Sequence, residues 1–164
     1  MAGESILALV RCSAVFDKLV EWARSSQRLP TMAVFFTSDT HFGDHRVFNI
    51  RPRPFGSLGE MDDALISRWN LRVGTTDEIW HLGGFAATVK VAKAILPKLN
   101  GRKHLVAGNN DSCGVRELDW ASVQTYAELT MGGTLLVLCH YPFRSWNGIH
   151  RGSLNLHGHS PGAS

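Results

Sequence analysis

The sequence has little of several features that define whole classes of protein. Its three cysteines, Cys12, Cys113 and Cys139, match no zinc or redox spacing. An odd number of cysteines fits a reducing compartment better than a disulfide framework, so we expect a cytoplasmic protein. No uninterrupted apolar run approaches the roughly eighteen residues that a membrane-spanning helix requires. We therefore expect no membrane partner.

The chain also lacks any cluster of charge of one sign. It carries 17 Lys and Arg against 14 Asp and Glu, a formal charge of +3, and the basic residues are scattered. Because a nucleic-acid site usually combines a basic stripe with interleaved aromatic residues, the sequence argues against a nucleic-acid partner. The 44% hydrophobic and 19% charged residues are ordinary for a globular protein. None of this indicates an oligomeric state.

Two parts of the chain differ in the spacing of their apolar residues. Apolar residues at steps of three and four predict an amphipathic helix over residues 5–24. Breakers between Ser25 and Pro30 end this helix, and Met32 opens the first clear strand. We therefore divide the chain into an N-terminal helical extension, residues 1–31, and one domain, residues 32–164. The pattern leaves open whether the extension is an appended helix or precedes the start that the cell uses.

Within residues 32–164, short apolar runs alternate with helical patterns. The order strand, helix, strand, helix, strand is typical of a parallel α/β arrangement. The second half differs, because two runs flank a Gly-Gly pair and predict an antiparallel hairpin. The predicted strands cover residues 34–36, 79–82, 104–107, 123–131, 134–139 and 153–157, and the predicted helices cover residues 60–73 and 89–99.

Short loops that contain glycine or polar residues follow five of these segments. They are Asp39-Thr40-His41, Gly83-Gly84, Gly108-Asn109-Asn110-Asp111, His140 and His157-Gly158-His159. Loops at the carboxyl ends of neighbouring parallel strands bring side chains together, so these residues are candidates for one site. Residues two apart in extended chain point the same way, which lets His157 and His159 face that site together. Taken alone, Asp39 and His41 are equally well explained as ordinary loop residues.

In this order, the five motifs resemble the calcineurin-like metallophosphoesterases over about residues 35–159. The resemblance implies an α/β fold in which mixed β-sheets pack as a sandwich flanked by helices. It also implies a phosphodiesterase or phosphomonoesterase that hydrolyses a small phosphorylated substrate with a metal-activated water. Two divalent ions can generate such a nucleophile near neutral pH. Carboxylate, imidazole and amide ligands suit manganese, iron or zinc.

The resemblance also assigns roles by motif position. Asp39, His41 and His159 would hold one ion, and Asn109, His140 and His157 would hold the other. Asn110 and Asp111 would stand at the catalytic position. These roles come from the resemblance alone.

Two positions depart from the family pattern. Gly84 stands where the family has the carboxylate that bridges both ions, so the second ion should be held more weakly. Asn110 stands where the family usually has a histidine, and an amide cannot deliver a proton at neutral pH. An alternative is therefore a metal-binding or phosphate-binding member with little or no catalysis.

Overall fold

The structure, a computed structural model, describes residues 32–50 and 54–160. The predicted helix at residues 5–24, and with it the proposed extension 1–31, lies outside the described residues. The strands are β1 Val34–Thr37, β2 Glu78–His81, β3 Arg102–Val106, β4 Ser122–Gln124, β5 Tyr126–Met131, β6 Thr134–Cys139 and β7 Leu154–Leu156. The α-helices are α1 His45–Ile50, α2 Leu58–Arg72, α3 Val89–Ile95 and α4 Cys113–Arg116, and 3-10 turns cover Leu96–Lys98 and Ile149–Arg151. Among the described residues, no helix is long and apolar enough to cross a membrane.

The first sheet has the order β1-β2-β3-β4, and all of its strands are parallel. Helix α2 connects β1 to β2 and helix α3 connects β2 to β3, so the predicted alternation is confirmed. Residues 122–124 depart from the prediction. We expected them in the hairpin, but they form β4, where Val123 pairs with Leu105 of β3. An alternating pattern indicates a strand without indicating its partner, and here the tertiary structure selects β3.

The second sheet has the order β5-β6-β7. Strands β5 and β6 form the predicted antiparallel hairpin, and the turn between them uses Gly132 and Gly133, whose φ angles are 55° and 80°. A two-residue hairpin turn of this kind favours glycine because both residues need positive φ. Strand β7 then pairs in parallel with β6. The carboxyl ends of β6 and β7 therefore lie side by side.

Two apolar clusters hold these layers together. One lies between the helices and the first sheet and includes Trp69 of α2 and Leu105 of β3. The other joins the two sheets and includes Trp80 of β2 and Leu138 of β6. The first sheet is thus covered by helices on one face and by the second sheet on the other. This packing brings the loops at the ends of both sheets to one edge of the molecule.

Capping explains where two helices begin. Helix α2 begins after Ser57, whose hydroxyl accepts the Glu60 amide at 3.1 Å, and the Glu60 carboxylate accepts the Gly56 amide at 2.8 Å. This reciprocal arrangement resembles a capping box. Helix α1 was not predicted. It begins after Asp44, whose carboxylate accepts the Arg46 amide at 2.9 Å, and apolar periodicity cannot indicate such a short helix.

We predict that Leu105→Ala will destabilise the fold strongly. Leu105 is 0% exposed in the core between the helices and the first sheet, so its truncation should lower the free energy of unfolding by about 2–5 kcal/mol. Leu71→Ala is the matched control because Leu71 is 85% exposed, and its effect should stay within about 0.5 kcal/mol. Urea unfolding of the three proteins measures both values. Equal losses in the two variants would contradict this account of the core.

Candidate functional site

The loop after β1 holds two predicted ligands in an uncommon backbone conformation. Asp39 has a φ of 52° and His41 a φ of 49°; with His159 at 64°, they are the non-glycine residues with positive φ in the described chain. Such conformations cost about 1–3 kcal/mol each and persist where the surroundings enforce them, often at functional sites. Here the amide of Asp39 donates to Gly83 O and that of His41 donates to Gly84 O, both at 2.9 Å. All three residues are among the metal ligands that the sequence analysis predicted.

The loops after β2 and β3 are joined by the carboxylate of Asp111. This side chain is 1% exposed. It accepts the amides of Gly84 and Phe85 at 2.9 Å and of Gly108 at 2.8 Å. Through these contacts the Asp111 carboxylate orders the loops after β2 and β3. A catalytic role for Asp111 stays a prediction.

His140 links the two sheets at the same edge. Its Nδ1 lies 2.7 Å from the carbonyl oxygen of Leu82, which can only accept, so Nδ1 carries the proton. In the singly protonated ring, Nε2 then has a free lone pair. Nε2 lies 2.9 Å from Oδ1 of Asn109 and 3.2 Å from Nδ1 of His159. Two imidazole nitrogens and an amide oxygen therefore lie close together, and a cation can bind them when neither nitrogen carries a proton.

Asp39 completes this group. Its Oδ2 accepts the amide of His159 at 2.9 Å, and its Oδ1 lies 3.6 Å from Nε2 of His41. Burial by itself would raise the pKa of Asp39. The contacts with His41, Ser38 and the His159 amide, helped by the nearby His140, outweigh burial and lower the pKa below its ordinary value. The group therefore contains one ionised carboxylate.

Of the eight predicted site residues, the structure brings five together, uses Asp111 to order two loops, and leaves two at the margin. Asp39, His41, Asn109, His140 and His159 form the connected group, which we call the ligand cluster. The ring of His157 contacts the carbonyl oxygen of Gly158 at 2.9 Å. Asn110 is exposed, and its amide oxygen lies 3.5 Å from Nδ2 of Asn109. Their roles stay predictions.

The donor types of the ligand cluster fit a divalent ion, although the side chains are not preformed around one. Within the described chain, no three His, Cys, Asp or Glu side chains have the spacing of a metal site. Asp39 instead accepts the backbone amide of His159, and one candidate ligand is the amide oxygen of Asn109, which is not among these residue types. One carboxylate, imidazole nitrogens and an amide oxygen suit a first-row divalent metal.

A pocket of about 400 Å³ adjoins the ligand cluster. It is lined by Ala107, Gly108, Asn109, Arg116, Thr125, Tyr126, Cys139, Tyr141 and Phe143. The Tyr141 ring makes edge contacts with His140 and His159, with centroids 5.0 and 4.8 Å apart. Nε of Arg116 donates to the carbonyl oxygen of Asp111 at 2.7 Å, which holds the guanidinium at the wall. We did not predict Arg116, because no motif marks it.

A buried histidine lies beneath the loop after β1. His81 is 0% exposed, and its Nε2 lies 3.0 Å from Oγ1 of Thr40. Burial lowers the pKa of His81 from 6.5 to about 4, although the negative charges of Asp111 and Asp39 oppose part of this shift. The ring is therefore neutral at physiological pH.

Gly84 lies directly against the ligand cluster. Its φ is 71°, and a Cβ built on it would lie 2.7 Å from Oδ1 of Asp39 and 3.2 Å from the Asp39 Cα. The position that the resemblance assigns to a bridging carboxylate therefore has no room for a side chain unless Asp39 moves. Glycine is required here because the backbone has a positive φ and because the two loops approach each other closely.

Comparison with known proteins identifies the family. Residues 1–111 match the family described as "Prokaryotic glutathione synthetase, ATP-grasp domain", which is more than half of the 164 residues. By this match, the chain belongs to the ATP-grasp domain family. The matched region includes β1, β2 and β3 and the loops that carry Asp39, His41 and Asn109.

Several proteins without an assigned function are similar over most of the chain. The uncharacterized protein MJ1445 of Methanocaldococcus jannaschii is 29% identical, over 77% of this chain and 68% of that protein. The Gene 66 protein of Mycobacterium phage L5 is 27% identical, over 77% of this chain and 76% of its own length. The crystal structure of AQ665 from Aquifex aeolicus, a protein of unknown function, has a TM-score of 0.63 at 22% identity and covers 79% of each chain. This last likeness shows a shared fold.

The family match corrects our interpretation of the motifs. The expected membership of the calcineurin-like metallophosphoesterases is wrong, and with it the metallophosphoesterase sandwich as the fold class. The assignment as a phosphoester hydrolase, whether phosphodiesterase or phosphomonoesterase, is overturned by the same match. The physical reason is that polar residues after parallel strands arise in any α/β fold that gathers ligands at this edge of a sheet. The motifs indicate donor chemistry and do not specify one family.

One part of the cofactor prediction survives this correction. ATP-grasp enzymes use a divalent metal ion such as Mg²⁺ or Mn²⁺ together with ATP, so the expectation of a divalent ion agrees with the family. The number of ions, and the choice among manganese, iron and zinc, are finer statements that the family match does not supply.

We predict that His81 makes the protein sensitive to mild acid. The unfolded chain binds a proton at His81 near pH 6.5 and the folded chain only near pH 4, so stability falls as the pH drops through this window. The loss between pH 7 and pH 4 should be about 3 kcal/mol from this residue. In His81→Gln the pH dependence of the unfolding free energy should be shallower by that amount. Identical pH profiles for the two proteins would contradict the assignment.

We also predict that Gly84→Ala will cost more stability than a strained backbone alone explains. Gly133→Ala is the matched control, because Gly133 has a φ of 80° and no atom lies within 4 Å of the point that a Cβ would occupy there. The control should lose about 1–2 kcal/mol, the cost of a left-handed residue. Gly84→Ala should lose about 1 kcal/mol more, because its Cβ crowds Asp39. Equal losses on chemical denaturation would mean that Asp39 moves away freely.

Proposed function

We propose that the ligand cluster binds a divalent metal ion and, through it, the phosphate groups of ATP or a closely related nucleotide. The observation that carries this proposal is the unbroken chain of contacts from Asp39 through His159 and His140 to Asn109. These four residues come from four different loops and from both sheets. An ionised carboxylate, two imidazoles and an amide oxygen meet there.

Each residue has a distinct part in the proposal. A bound divalent ion would offset the negative charge of the phosphate oxygens. Asp39 supplies the negative charge that holds the ion, and its lowered pKa keeps it ionised. His140 presents Nε2 because its Nδ1–H donates to the carbonyl oxygen of Leu82. This second contact orients the ring, as outer hydrogen bonds commonly do for metal-binding histidines.

The number of ions belongs to the same proposal. We place the stronger site at Asp39, His41 and His159, and a weaker second site at Asn109, His140 and His157. The second site is weaker because it contains no carboxylate, while Gly84 has no side chain to share between the ions. Manganese, iron or zinc would suit either donor set.

The adjoining pocket supports a nucleotide as the small phosphorylated partner. Its volume of about 400 Å³ lies within the usual range for small-molecule sites. Tyr126, Tyr141 and Phe143 offer aromatic surface on which a planar base can stack. Arg116, held by the Asp111 carbonyl oxygen, places a cation beside Asn109 for a phosphate group. We propose that this binding takes place in the cytoplasm, as the cysteine content favours.

The test measures metal and nucleotide binding separately. Titration calorimetry with Mn²⁺ should show binding by the unmodified protein that weakens at least tenfold in His140→Ala and His159→Ala. His150→Ala is the matched control, because His150 is exposed and lies outside the ligand cluster. ATP should then raise the melting temperature in Mn²⁺ but not in EDTA, since a ligand that binds only the native state stabilises it by mass action.

Three results would overturn the proposal. The first is a protein that binds no Mn²⁺, and the second is equal Mn²⁺ affinity in all four proteins. The third is cleavage of a chromogenic phosphodiester in Mn²⁺ by a protein that ATP does not stabilise. That last result would remove the nucleotide from the proposal.

A further inference from the structure

We infer that His81 is a positioning residue for the ligand cluster: it acts through Thr40 to hold Asp39 and His41 in their left-handed conformations. This inference rests on the proposed function for the role of the two ligands. It concerns hydrogen bonding by a neutral ring, and no change in its charge is involved.

The His81 ring is enclosed by aromatic side chains. It stacks on Trp69 with centroids 6.4 Å apart, meets the edge of Phe85 at 5.2 Å and lies 6.5 Å from Trp120. All four side chains belong to the packed interior between the helices and the first sheet, where rotation of a ring is strongly restricted. The Nε2 atom of His81 therefore has a well-defined direction.

The direction of each hydrogen bond follows from its partners. The Thr40 hydroxyl lies 2.9 Å from the carbonyl oxygen of Phe85, which can only accept, so the hydroxyl donates its proton there. The Thr40 oxygen, 3.0 Å from Nε2 of His81, must then accept, and Nε2 carries the ring proton. His81 thus donates to Thr40, and Thr40 donates to the loop after β2.

Thr40 is the residue between the two strained ligands. It is 1% exposed and directed inward, whereas the Asp39 and His41 side chains retain 20% and 12% exposure at the ligand cluster. Left-handed conformations persist only where surrounding contacts enforce them. An inward anchor on the middle residue restrains the peptide units on both sides, and His81 forms one end of that anchor.

Packing alone does not account for an imidazole at this position. Among the described residues, Nδ1 of His81 has no hydrogen-bond partner. A buried nitrogen without a partner is unfavourable, and phenylalanine would fill an aromatic enclosure without that penalty. What the imidazole adds to the enclosure is the hydrogen bond from Nε2 to Thr40.

The experiment compares variants that keep or remove this hydrogen bond. His81→Phe removes the donor and keeps an aromatic ring, Thr40→Val removes the acceptor and leaves the enclosure intact, and His81→Gln retains an N–H donor. His104→Phe is the matched control. His104 is also buried in the first sheet, but it stacks on Trp80 and bonds to Ser122, away from the ligand cluster.

Two readouts are needed, one of which does not involve a ligand. The first is Mn²⁺ affinity by calorimetry. The second is the backbone amide chemical shifts and hydrogen exchange of Asp39 and His41 in the metal-free protein. We expect at least tenfold weaker Mn²⁺ binding in His81→Phe and Thr40→Val, with shifted and faster-exchanging amides. His81→Gln should stay within about threefold of the unmodified protein, and His104→Phe should leave both readouts unchanged even if it lowers the melting temperature.

Several outcomes would overturn the inference. One is that the amide signals of Asp39 and His41 and the Mn²⁺ affinity are unchanged in His81→Phe and Thr40→Val. Another is that His81→Gln folds but binds Mn²⁺ as weakly as His81→Phe. If His81→Phe does not fold, Thr40→Val decides, because it leaves the ring and its enclosure in place. If the unmodified protein binds no Mn²⁺, the proposed function fails, and the amide measurements alone decide whether His81 positions the loop.

Discussion

The arrangement of the site depends on the buried carboxylate of Asp111. A carboxylate removed from water is favourable only when hydrogen bonds replace its solvation, and Asp111 accepts three backbone amides. Two of these amides, of Gly84 and Phe85, belong to the loop after β2, and the third, of Gly108, belongs to the loop after β3. One side chain thus sets the separation of two loops. Their relative position in turn places Asn109, whose Oδ1 lies 2.9 Å from Nε2 of His140.

From Asp111 the ordering contacts extend to the ligand cluster. Phe85, which donates its amide to Asp111, accepts the Thr40 hydroxyl through its carbonyl oxygen. Thr40 also contacts His81, so the loop after β1 is tied to both the loop after β2 and the aromatic interior. Backbone strain at Asp39 and His41 is therefore held by several independent contacts. This is the situation in which uncommon φ angles persist.

The ligand cluster also depends on the contact between the two sheets. Asp39 and Asn109 follow strands of the first sheet, whereas His140 and His159 follow strands of the second. They meet because an apolar layer, which includes Trp80 and Leu138, joins the sheets. The hydrogen bond from His140 Nδ1 to Leu82 O crosses the same boundary. Any binding by this cluster therefore requires the complete tertiary structure.

The wrong family assignment has a physical explanation. Glycine turns and polar residues after parallel strands occur in many α/β proteins. Glycine allows two loops to approach closely, and the carboxyl ends of the strands bring side chains together. Asp39-Thr40-His41 and His157-Gly158-His159 therefore indicated where donors would collect. They did not determine which family uses them, because the same donor chemistry serves different reactions on different proteins.

The sequence by itself determined the strands and helices whose patterns are local. These include the parallel order of β1, β2 and β3, the hairpin turn at Gly132 and Gly133, and the apolar face of α2. Local patterns suffice there because each depends on the period of the apolar residues or on the φ angles that glycine permits. All five residues of the ligand cluster were also among the candidates that the sequence offered, since their side chains carry the donor chemistry.

Only the tertiary structure decided what depends on contacts between distant residues. It placed residues 122–124 beside β3, turned the His157 ring toward the Gly158 carbonyl oxygen, put Arg116 at the pocket and left no space for a side chain at Gly84. It also gave Asp111 three amides and placed His81 beneath Thr40. No local pattern encodes these features, because each depends on which loops the packing of two sheets and a helical layer brings within hydrogen-bonding distance.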